Sequence, residues 1–167
     1  FEIAVEDASR TDFGAFVEGD LPLAGDRLML TAGLRGDQVK TENTGGYFGD
    51  RSTSDGALSG FATLTWTLAP EWKLSAQYAR GFRDPTLSDR YFRGVSGRGF
   101  VVGNPDLSAE TSNQFDLSLR GRKGIFGFGV SGYVYRIEDL VERYKSGNEN
   151  LFRNRGETEL AGAELEA

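Results

Sequence analysis

Alternation of apolar and polar residues with a period of two is the feature that most constrains the fold of this chain. In the segment from Ala57 to Leu68, Leu58, Leu64 and Trp66 fall on one face of an extended chain, and threonines fall on the other. Successive side chains of a β-strand point to opposite faces, whereas an amphipathic helix requires a period of 3.6. Four further segments alternate in the same way: 27–38, 73–82, 113–121 and 125–136. We therefore expect an all-β protein built as an antiparallel meander.

The connections between these segments alternate in length. Three are short, at Leu21–Asp26, Ala69–Trp72 and Lys123–Gly124, and three are long, at Glu42–Gly56, Asp84–Thr111 and Leu140–Asn150. Short turns at one end and long loops at the other are typical of outer-membrane β-barrels, in which the short turns are periplasmic. The strands span about nine to twelve residues, the length that a tilted strand needs to cross the hydrocarbon. We favour a transmembrane barrel over a soluble sheet protein, whose strands also alternate.

The composition excludes several kinds of site. The 167 residues include no cysteine and no histidine, so disulfides, thiolate metal sites and cysteine nucleophiles are excluded, and the commonest general base is missing. The carboxylates are scattered through turns and polar strand faces without metal-ligand spacing. We therefore expect no enzyme, no cofactor and no metal site. The net charge of −6 argues against a nucleic-acid partner, which would require a basic surface.

The number of strands is too small for a closed barrel of useful bore. We count about seven, or eight if residues 1–7 also pair. A sheet in lipid must close, because an exposed edge leaves backbone groups without hydrogen-bond partners. The alternation at 161–167 also stops partway through a strand. We expect the chain to be an internal piece of a larger barrel, with its open edges covered by other barrel strands or by another copy.

Four blocks of the sequence resemble TonB-dependent outer-membrane receptors. They are FGAFVEGDLPLAGDRLMLTAGLRGD (13–37), YARGFRDPTLSDRYF (78–92), GNPDLSAETSNQFDLSLRG (103–121) and NRGETELAGAELEA (154–167). They occur in the order and with the spacing of that family, and together they cover most of the chain. Two positions depart from the family pattern: Asp84 stands where alanine is usual, and Ala109 stands where proline is usual. Because both lie at loop edges, we expect the fold to tolerate them.

The resemblance implies a 22-stranded transmembrane barrel plugged by an N-terminal domain, in the outer membrane of a Gram-negative bacterium. Such receptors import scarce nutrients, and the TonB system supplies the energy through the plug. Residues 1–167 would form a single partial barrel domain without the plug and without the C-terminal end of the barrel. The implied partners are outer-membrane lipid and lipopolysaccharide, a ferric siderophore or a similar nutrient, and TonB through the absent plug region.

The long connection between Asp84 and Thr111 is rich in arginine and aromatic residues. Arginine pairs with carboxylates and stacks on aromatic rings, and aromatic side chains supply rigid contact area. This combination suits an anionic, aromatic ferric siderophore, whereas the absence of histidine argues against haem. Weaker versions of the pattern occur at Tyr47, Phe48, Arg51, Arg143 and Tyr144. The candidate ligand-binding residues are Arg90, Tyr91, Phe92, Arg93, Arg98 and Phe100. An alternative is that they contact neighbouring loops or lipopolysaccharide phosphates.

Two further sets of residues receive structural roles. Proline fixes φ and removes a backbone donor, so loop geometry explains a set that brackets the long connection: Gly81, Phe82, Arg83, Pro85, Gly103, Asn104 and Pro105. Six residues on the polar strand faces are expected to point into the lumen, where they meet the plug, or water and cross-strand partners: Arg35, Asp37, Gln77, Asp116, Arg120 and Tyr133. Trp66, Trp72 and Tyr78 are expected at the membrane boundary.

These observations favour a receptor that binds and imports a ferric siderophore with energy from the TonB system. Two alternatives stay open at this point. One is an unplugged diffusion porin, which a plug domain upstream would exclude. The other is a soluble all-β binding or adhesion module, which would be soluble without detergent.

Overall fold

The computed structural model describes residues 5, 7–25, 27–97 and 99–167. Nine strands and one short helix follow one another along the chain, and all the strands belong to one sheet. The elements are β1 (Ala8–Leu23), β2 (Leu28–Asn43), β3 (Arg51–Ala69), β4 (Trp72–Arg83), α1 (Leu87–Tyr91), β5 (Arg93–Ser96), β6 (Gly99–Val102), β7 (Glu110–Lys123), β8 (Phe126–Ser146) and β9 (Glu149–Glu166).

The seven long strands form the expected antiparallel meander. Each pairs with the next long strand along the chain, in the order β1-β2-β3-β4-β7-β8-β9. The short strands β5 and β6 form a hairpin inside the long connection between β4 and β7. Through β6 this hairpin joins the far edge of the sheet, where Phe100–Val102 pair in parallel with Glu149–Leu151 of β9. The connection therefore reaches across β7 and β8 to the last strand.

The register separates an apolar face from a polar face. Trp66 of β3 lies beside Leu74 of β4, and Leu74 lies beside Leu119 of β7, so apolar residues form lateral rows across the sheet. These side chains are open to their surroundings: Leu58 is 64% exposed and Trp66 is 50% exposed. Such a large exposed apolar surface requires a nonpolar environment. The described helix α1 has five residues, and no helix in the described ranges is long and apolar enough to cross a membrane.

Aromatic rings cover glycines on neighbouring strands. The Phe61 ring lies over Gly33, where an added Cβ would lie 2.7 Å from a ring carbon. The Tyr133 ring lies over Gly162, where an added Cβ would lie 2.6 Å from the Tyr133 hydroxyl oxygen. Trp72 covers Gly121 in the same way, with ring atoms at 2.5 Å. These glycines leave room for a ring to lie flat on the strand, which is the arrangement by which aromatic residues compensate for glycine in a sheet.

Two of the three connections expected to be long differ from the prediction. The segment predicted as a loop at Leu140–Asn150 continues the β8–β9 ladder as far as Ser146 and Glu149, and it turns at Gly147, whose φ is 59°. The loop between β2 and β3 spans only 44–50, because the ladder extends to Asn43 and Arg51. The long strands span from 12 residues in β4 to 21 in β8, so all of them except β4 are longer than expected. Strand pairing beyond the apolar band replaces the predicted loops. Most of the possible eighth strand, residues 1–7, lies outside the described residues.

Candidate functional site at the loop end of the sheet

The long connection, residues 84–109, folds back over the polar face of the sheet. The connection contacts Arg10 of β1 and Asp55 of β3. The strand register places both residues on the polar face, together with Val39 of β2. Val39 is 3% exposed, and the buried apolar residues of the connection are Tyr91, Val101 and Leu107. A loop that projects freely outward does not bury such residues. The connection therefore packs against the sheet, and the chain has its small core here.

A charge cluster of Arg10, Asp55, Asp84 and Arg90, in which Asp84 and Arg90 are buried, anchors the connection. Arg90 donates to Asp84 Oδ1 and to Asp55 Oδ2, both at 3.2 Å, and to the carbonyl oxygen of Pro105 at 3.0 Å. Arg10 donates to Asp84 Oδ2 at 3.0 Å. The side chains of Arg90 and Asp84 are each 1% exposed. Burial raises the pKa of the Asp84 carboxyl above its ordinary value, while the two guanidinium groups act in the opposite direction.

Helix α1 presents Arg90 to this cluster. Thr86 caps the helix: its hydroxyl accepts from the Asp89 backbone N–H at 3.1 Å, and the Asp89 carboxylate accepts from the Thr86 N–H at 2.9 Å. This reciprocal capping satisfies two backbone donors that a helix start otherwise leaves unpaired. The sequence Thr-Leu-Ser-Asp therefore explains why a single helical turn is stable inside the connection.

The segment from Gly103 to Pro105 closes the connection against helix α1 and β9. Gly103 donates its backbone N–H to the Phe92 carbonyl at 2.7 Å, and Asn104 donates its own to the Asp89 carbonyl at 2.9 Å. The Asn104 side chain donates to the Phe152 carbonyl at 3.1 Å. A Cβ on Gly103 would lie 2.6 Å from the Arg90 backbone, so this close approach requires glycine. The buried Pro85 accepts from Arg10 at 3.3 Å through its carbonyl.

Arg83 and Glu110 clamp the two strands that flank the connection. Arg83 makes a bidentate pair with Glu110, with both N–O distances at 2.7 Å. Glu110 Oε1 also accepts from the backbone N–H of Val141 at 2.6 Å, next to the point at which β7 begins. These hydrogen bonds hold the pKa of the Glu110 carboxyl below its ordinary value, and the hydrogen bonds from Arg83 have the largest effect.

Acidification is expected to release this clamp. Because the pKa of Glu110 is depressed in the folded state, its contribution to stability is present above the unfolded value of about 4.3 and is lost as pH falls through the lower folded value. We expect the Val141 amide to remain protected from hydrogen exchange from about pH 7 to 5 and to lose protection at still lower pH. The measurement is hydrogen exchange corrected for intrinsic rates. Glu110→Gln should remove the pH dependence, and unchanged protection of the native amide to pH 3 would contradict the assignment.

An exposed cation–aromatic cluster of Tyr47, Arg93 and Phe100 lies on the connection and the neighbouring 44–50 loop. The Arg93 guanidinium carbon lies 4.4 Å from the centre of the Tyr47 ring and 5.3 Å from that of the Phe100 ring. Behind this cluster, Phe48 contacts both Tyr47 and Tyr91 edge-on, with ring centres 5.0 and 5.9 Å apart. The buried Tyr91 therefore supports, through Phe48, a cluster whose Tyr47 ring is 66% exposed.

The structure gives the six predicted ligand-binding residues different positions. It brings Arg93 and Phe100 together beside Tyr47, and it leaves Phe92 half-buried. Direct ligand contact does not fit Arg90 or Tyr91 in this structure, because their side chains are only 1% and 2% exposed. Arg98 lies outside the described residues. For Arg93, Phe92 and Phe100, ligand contact stays a prediction.

Residues that sequence reasoning missed organise this end of the sheet. Asp84 was expected to be a tolerated loop-edge substitution, but it is buried between Arg10 and Arg90. Arg10, Asp55 and Glu110 received no role at all. The available signal was the departure at Asp84 itself: a carboxylate in place of alanine, six residues before an arginine, is consistent with a new ion pair.

The six residues predicted to face the lumen share the polar face. The register aligns Gln77 with Asp116 and Asp116 with Tyr133 across three strands. On β2, Arg35 donates to Asp37 at 2.7 and 2.9 Å, and Gln77 accepts from Thr63 at 2.8 Å. Beneath the connection, an open cavity of about 890 Å³ is lined by polar-face residues that include Arg10, Asp12, Arg35, Asp37, Phe61 and Arg83. Whether the six meet a plug stays a prediction.

The chain matches the family model described as TonB dependent receptor-like, beta-barrel, over residues 3–167. It is 35% identical over 113 residues to an iron-regulated outer membrane virulence protein of Vibrio cholerae, which covers 66% of the chain and 15% of that protein. It is 31% identical over 114 residues to the vitamin B12 transporter BtuB of Photobacterium profundum, with coverages of 62% and 18%. The chain therefore spans less than a fifth of the length of these curated relatives.

Solved structures agree on the fold. The copper transporter OprC superposes with a TM-score of 0.80 at 24% identity, over 95% of this chain and 25% of OprC. The FrpB iron transporter from Neisseria meningitidis superposes with a TM-score of 0.70 at 20% identity, over 96% of this chain and 24% of FrpB. The exposed apolar face, the alternating strands and the family match lead to one conclusion: this chain belongs to the TonB-dependent receptor β-barrel family of the Gram-negative outer membrane.

Proposed function

We propose that this chain is the part of an outer-membrane receptor barrel that helps to capture a ferric siderophore for import energised by TonB. The plug and the remaining barrel strands would lie elsewhere in the receptor, and the plug would transmit the action of TonB. Family membership favours such a receptor over the diffusion porin and over the soluble binding module. Relatives named for iron regulation, iron transport, vitamin B12 and copper support a metal-containing nutrient as the substrate.

One observation carries the choice of ligand: the exposed Tyr47–Arg93–Phe100 cluster at the loop end. A guanidinium between two rings offers a positive charge and aromatic faces at one place. An anionic ligand with aromatic groups, such as a ferric catecholate, can pair with the charge and stack on the rings. Copper import is less favoured, because the chain has no cysteine or histidine and a single methionine to offer as soft ligands.

The charge cluster contributes to this function by fixing the platform. Arg90 joins helix α1 to Asp55 of β3, while Arg10 joins Asp84 to β1. The chain between Arg90 and the hairpin is only two residues long, so the position of helix α1 determines that of Arg93. A preorganised surface avoids the cost of ordering the loop when ligand binds.

The test is uptake by cells that make the complete receptor containing this chain, compared with a deletion strain. Labelled ferric catecholate and hydroxamate siderophores, haem and cobalamin form the panel. We expect the deletion to lose uptake of one ferric siderophore and the intact gene to restore it. Loss of cobalamin or haem uptake with unchanged siderophore uptake would keep the family and refute the proposed ligand.

Arg93→Ala is expected to weaken ligand binding by the receptor about tenfold, which corresponds to ~1.4 kcal/mol. The matched control is Arg153→Ala, since Arg153 also stacks on a ring, 4.5 Å from the centre of Tyr144, but it lies on β9, where it pairs with Glu142 and makes no contact with Tyr47 or Phe100 among the described residues. Titration of purified receptor with the ferric siderophore measures both Kd values. Equal losses in the two variants, or none in either, would remove Arg93 from the binding surface.

A further inference from the structure

A sharp boundary between apolar and polar residues crosses the outward, apolar face on β4, β7, β8 and β9. The last apolar row, from one strand to the next, is Tyr78, Phe115, Val134 and Ala161. Two residues nearer the loop end, the next row on the same face is Arg80, Asn113, Arg136 and Glu159. Three of these strands, β7, β8 and β9, become polar at this row, and β4 does so at Arg80 with only Phe82 beyond it on the same face, which indicates where the apolar environment ends.

The height of this boundary agrees with the outer edge of a membrane. Trp72 lies beside the short turn at the opposite end of β4, eight residues from Arg80. At about 3.3 Å per residue this is ~26 Å along the strand, or roughly 20 Å across the membrane for a strand tilted by about 40°. The apolar band of such barrels is about 25 Å tall and has aromatic residues at its edges. Tyr78, 49% exposed, would lie just below the boundary, and Arg80 would lie at it.

Arg80 and Arg136 lie in the same row, but their surroundings differ. Arg136 donates to Glu159 at 2.7 Å and lies 3.8 Å from Glu157. Arg80 donates only to the side-chain carbonyl of Asn113, at 3.3 Å, and in the described part of the chain it has no carboxylate partner. The Tyr78 hydroxyl donates to the same Asn113 oxygen at 2.7 Å.

This arrangement leaves donors available at one point of the boundary. Because Asn113 Oδ1 accepts from both neighbours, its amide nitrogen is oriented away from them, and within the described ranges it has no acceptor of its own. The remaining guanidinium N–H groups of Arg80 are likewise without acceptors among those residues. An exposed cation with free donors at the edge of a membrane matches the geometry of a phosphate, which arginine binds through two hydrogen bonds.

We propose that Arg80, Asn113 and Tyr78 form a binding site for a phosphate of lipopolysaccharide, the glycolipid of the outer leaflet. Arg80 pairs with the phosphate, the Asn113 amide donates a further hydrogen bond, and the Tyr78 ring packs against the upper part of an acyl chain. Aromatic rings with one polar end favour this depth of a membrane. The site is independent of the nutrient and shares no residue with the Tyr47–Arg93–Phe100 cluster.

The experiment uses the complete purified receptor, freed of bound lipid, and titrates it with bisphosphorylated lipid A and with the same lipid after phosphate removal. We expect the native receptor to bind the phosphorylated form more tightly. Arg80→Gln should raise the Kd for the phosphorylated form about tenfold and so abolish most of the difference between the two lipids. Arg136→Gln is the matched control and should leave it unchanged, because Glu159 and Glu157 already neutralise Arg136. Asn113→Ala, a second variant, should reduce the difference to a smaller extent.

Three results would overturn the proposal. They are equal binding of the two lipid forms by the native receptor, equal loss in Arg80→Gln and Arg136→Gln, and equal competition by vesicles of phosphatidylglycerol, which would assign the site to any lipid phosphate. If Arg80→Gln fails to fold, Asn113→Ala decides, and unchanged binding in that variant counts against the site. Nutrient binding by Arg80→Gln should equal that of the native receptor, so failure of the lipid site is distinguishable from failure of the proposed import function.

Discussion

Replacement of Arg90 by methionine is expected to destabilise the folded 84–109 connection by about 3–5 kcal/mol, the cost of removing one partner from a buried ion pair. Methionine has a long, flexible side chain and fills much of the space, so the loss is mainly electrostatic. It leaves Asp84 with Arg10 alone and the Pro105 carbonyl without its donor. The measurement is hydrogen exchange of residues 84–109 in the purified receptor, which should show strongly reduced protection while the strands remain protected.

Two variants distinguish the buried pair from a general effect of losing an arginine. Arg93→Met removes an exposed arginine three residues away and should change protection by less than about 1 kcal/mol. In Arg90→Met/Asp84→Leu, both buried charges of the pair are absent, and the combined loss should be smaller than the sum of the two single losses. Strict additivity of the two single variants would show that Arg90 and Asp84 do not act as a pair.

Gly103→Ala is expected to destabilise the connection by about 2–3 kcal/mol. The new Cβ would lie 2.6 Å from the carbonyl carbon and oxygen of Arg90 and 2.9 Å from the Tyr91 nitrogen. All three are backbone atoms of helix α1, so a rotamer change cannot relieve the overlap. The helix would have to move away, which breaks the 2.7 Å hydrogen bond from Gly103 to the Phe92 carbonyl.

Gly97→Ala is the matched control, because Gly97 lies in the same connection and a Cβ there meets no atom of the described, non-adjacent residues within 4 Å. Protease cleavage of the connection in the intact receptor, measured as a rate, compares the two variants. We expect much faster cleavage in Gly103→Ala and an unchanged rate in Gly97→Ala. Similar rates in both would mean that Gly103 is not held against helix α1 in the receptor.

These two predictions also bear on the proposed function. Arg90 and Gly103 lie behind the exposed cluster and do not form it, so their loss should weaken nutrient binding by disordering Arg93 and Phe100. In that case, the affinity of Arg90→Met for the ferric siderophore should fall together with the protection of the connection. The lipid site at Arg80 should be unaffected, because β4, β7 and β8 hold it independently of the connection.

The strands and their two faces could be predicted from the sequence, because the period of two is a local property. Once Leu58, Leu64 and Trp66 lie on one face, lateral pairing can only extend that face, as it does to Leu74 and Leu119. The ends of the ladders were less predictable. Residues 140–150 are polar and look like a loop, but cross-strand pairs such as Glu142 with Arg153, at 2.7 Å, carry the ladder past the apolar band. Polar strand pairing outside a membrane has no strong local signature.

The sequence by itself determined the fold class and the family and singled out the 84–109 segment as unusual, since all three rest on short-range pattern: alternation, turn residues and the FRDP and NPDL blocks. Only the tertiary structure decided how that segment is used. Arg10 meets Asp84 across 74 residues, and Arg90 meets Asp55 across 35. No local pattern encodes such partners, because they are set by the lateral order of the strands and by the burial of charges that must then be paired. That is why Arg90 was predicted from the sequence to bind ligand, whereas in the fold it is a buried residue that holds the 84–109 connection against the sheet.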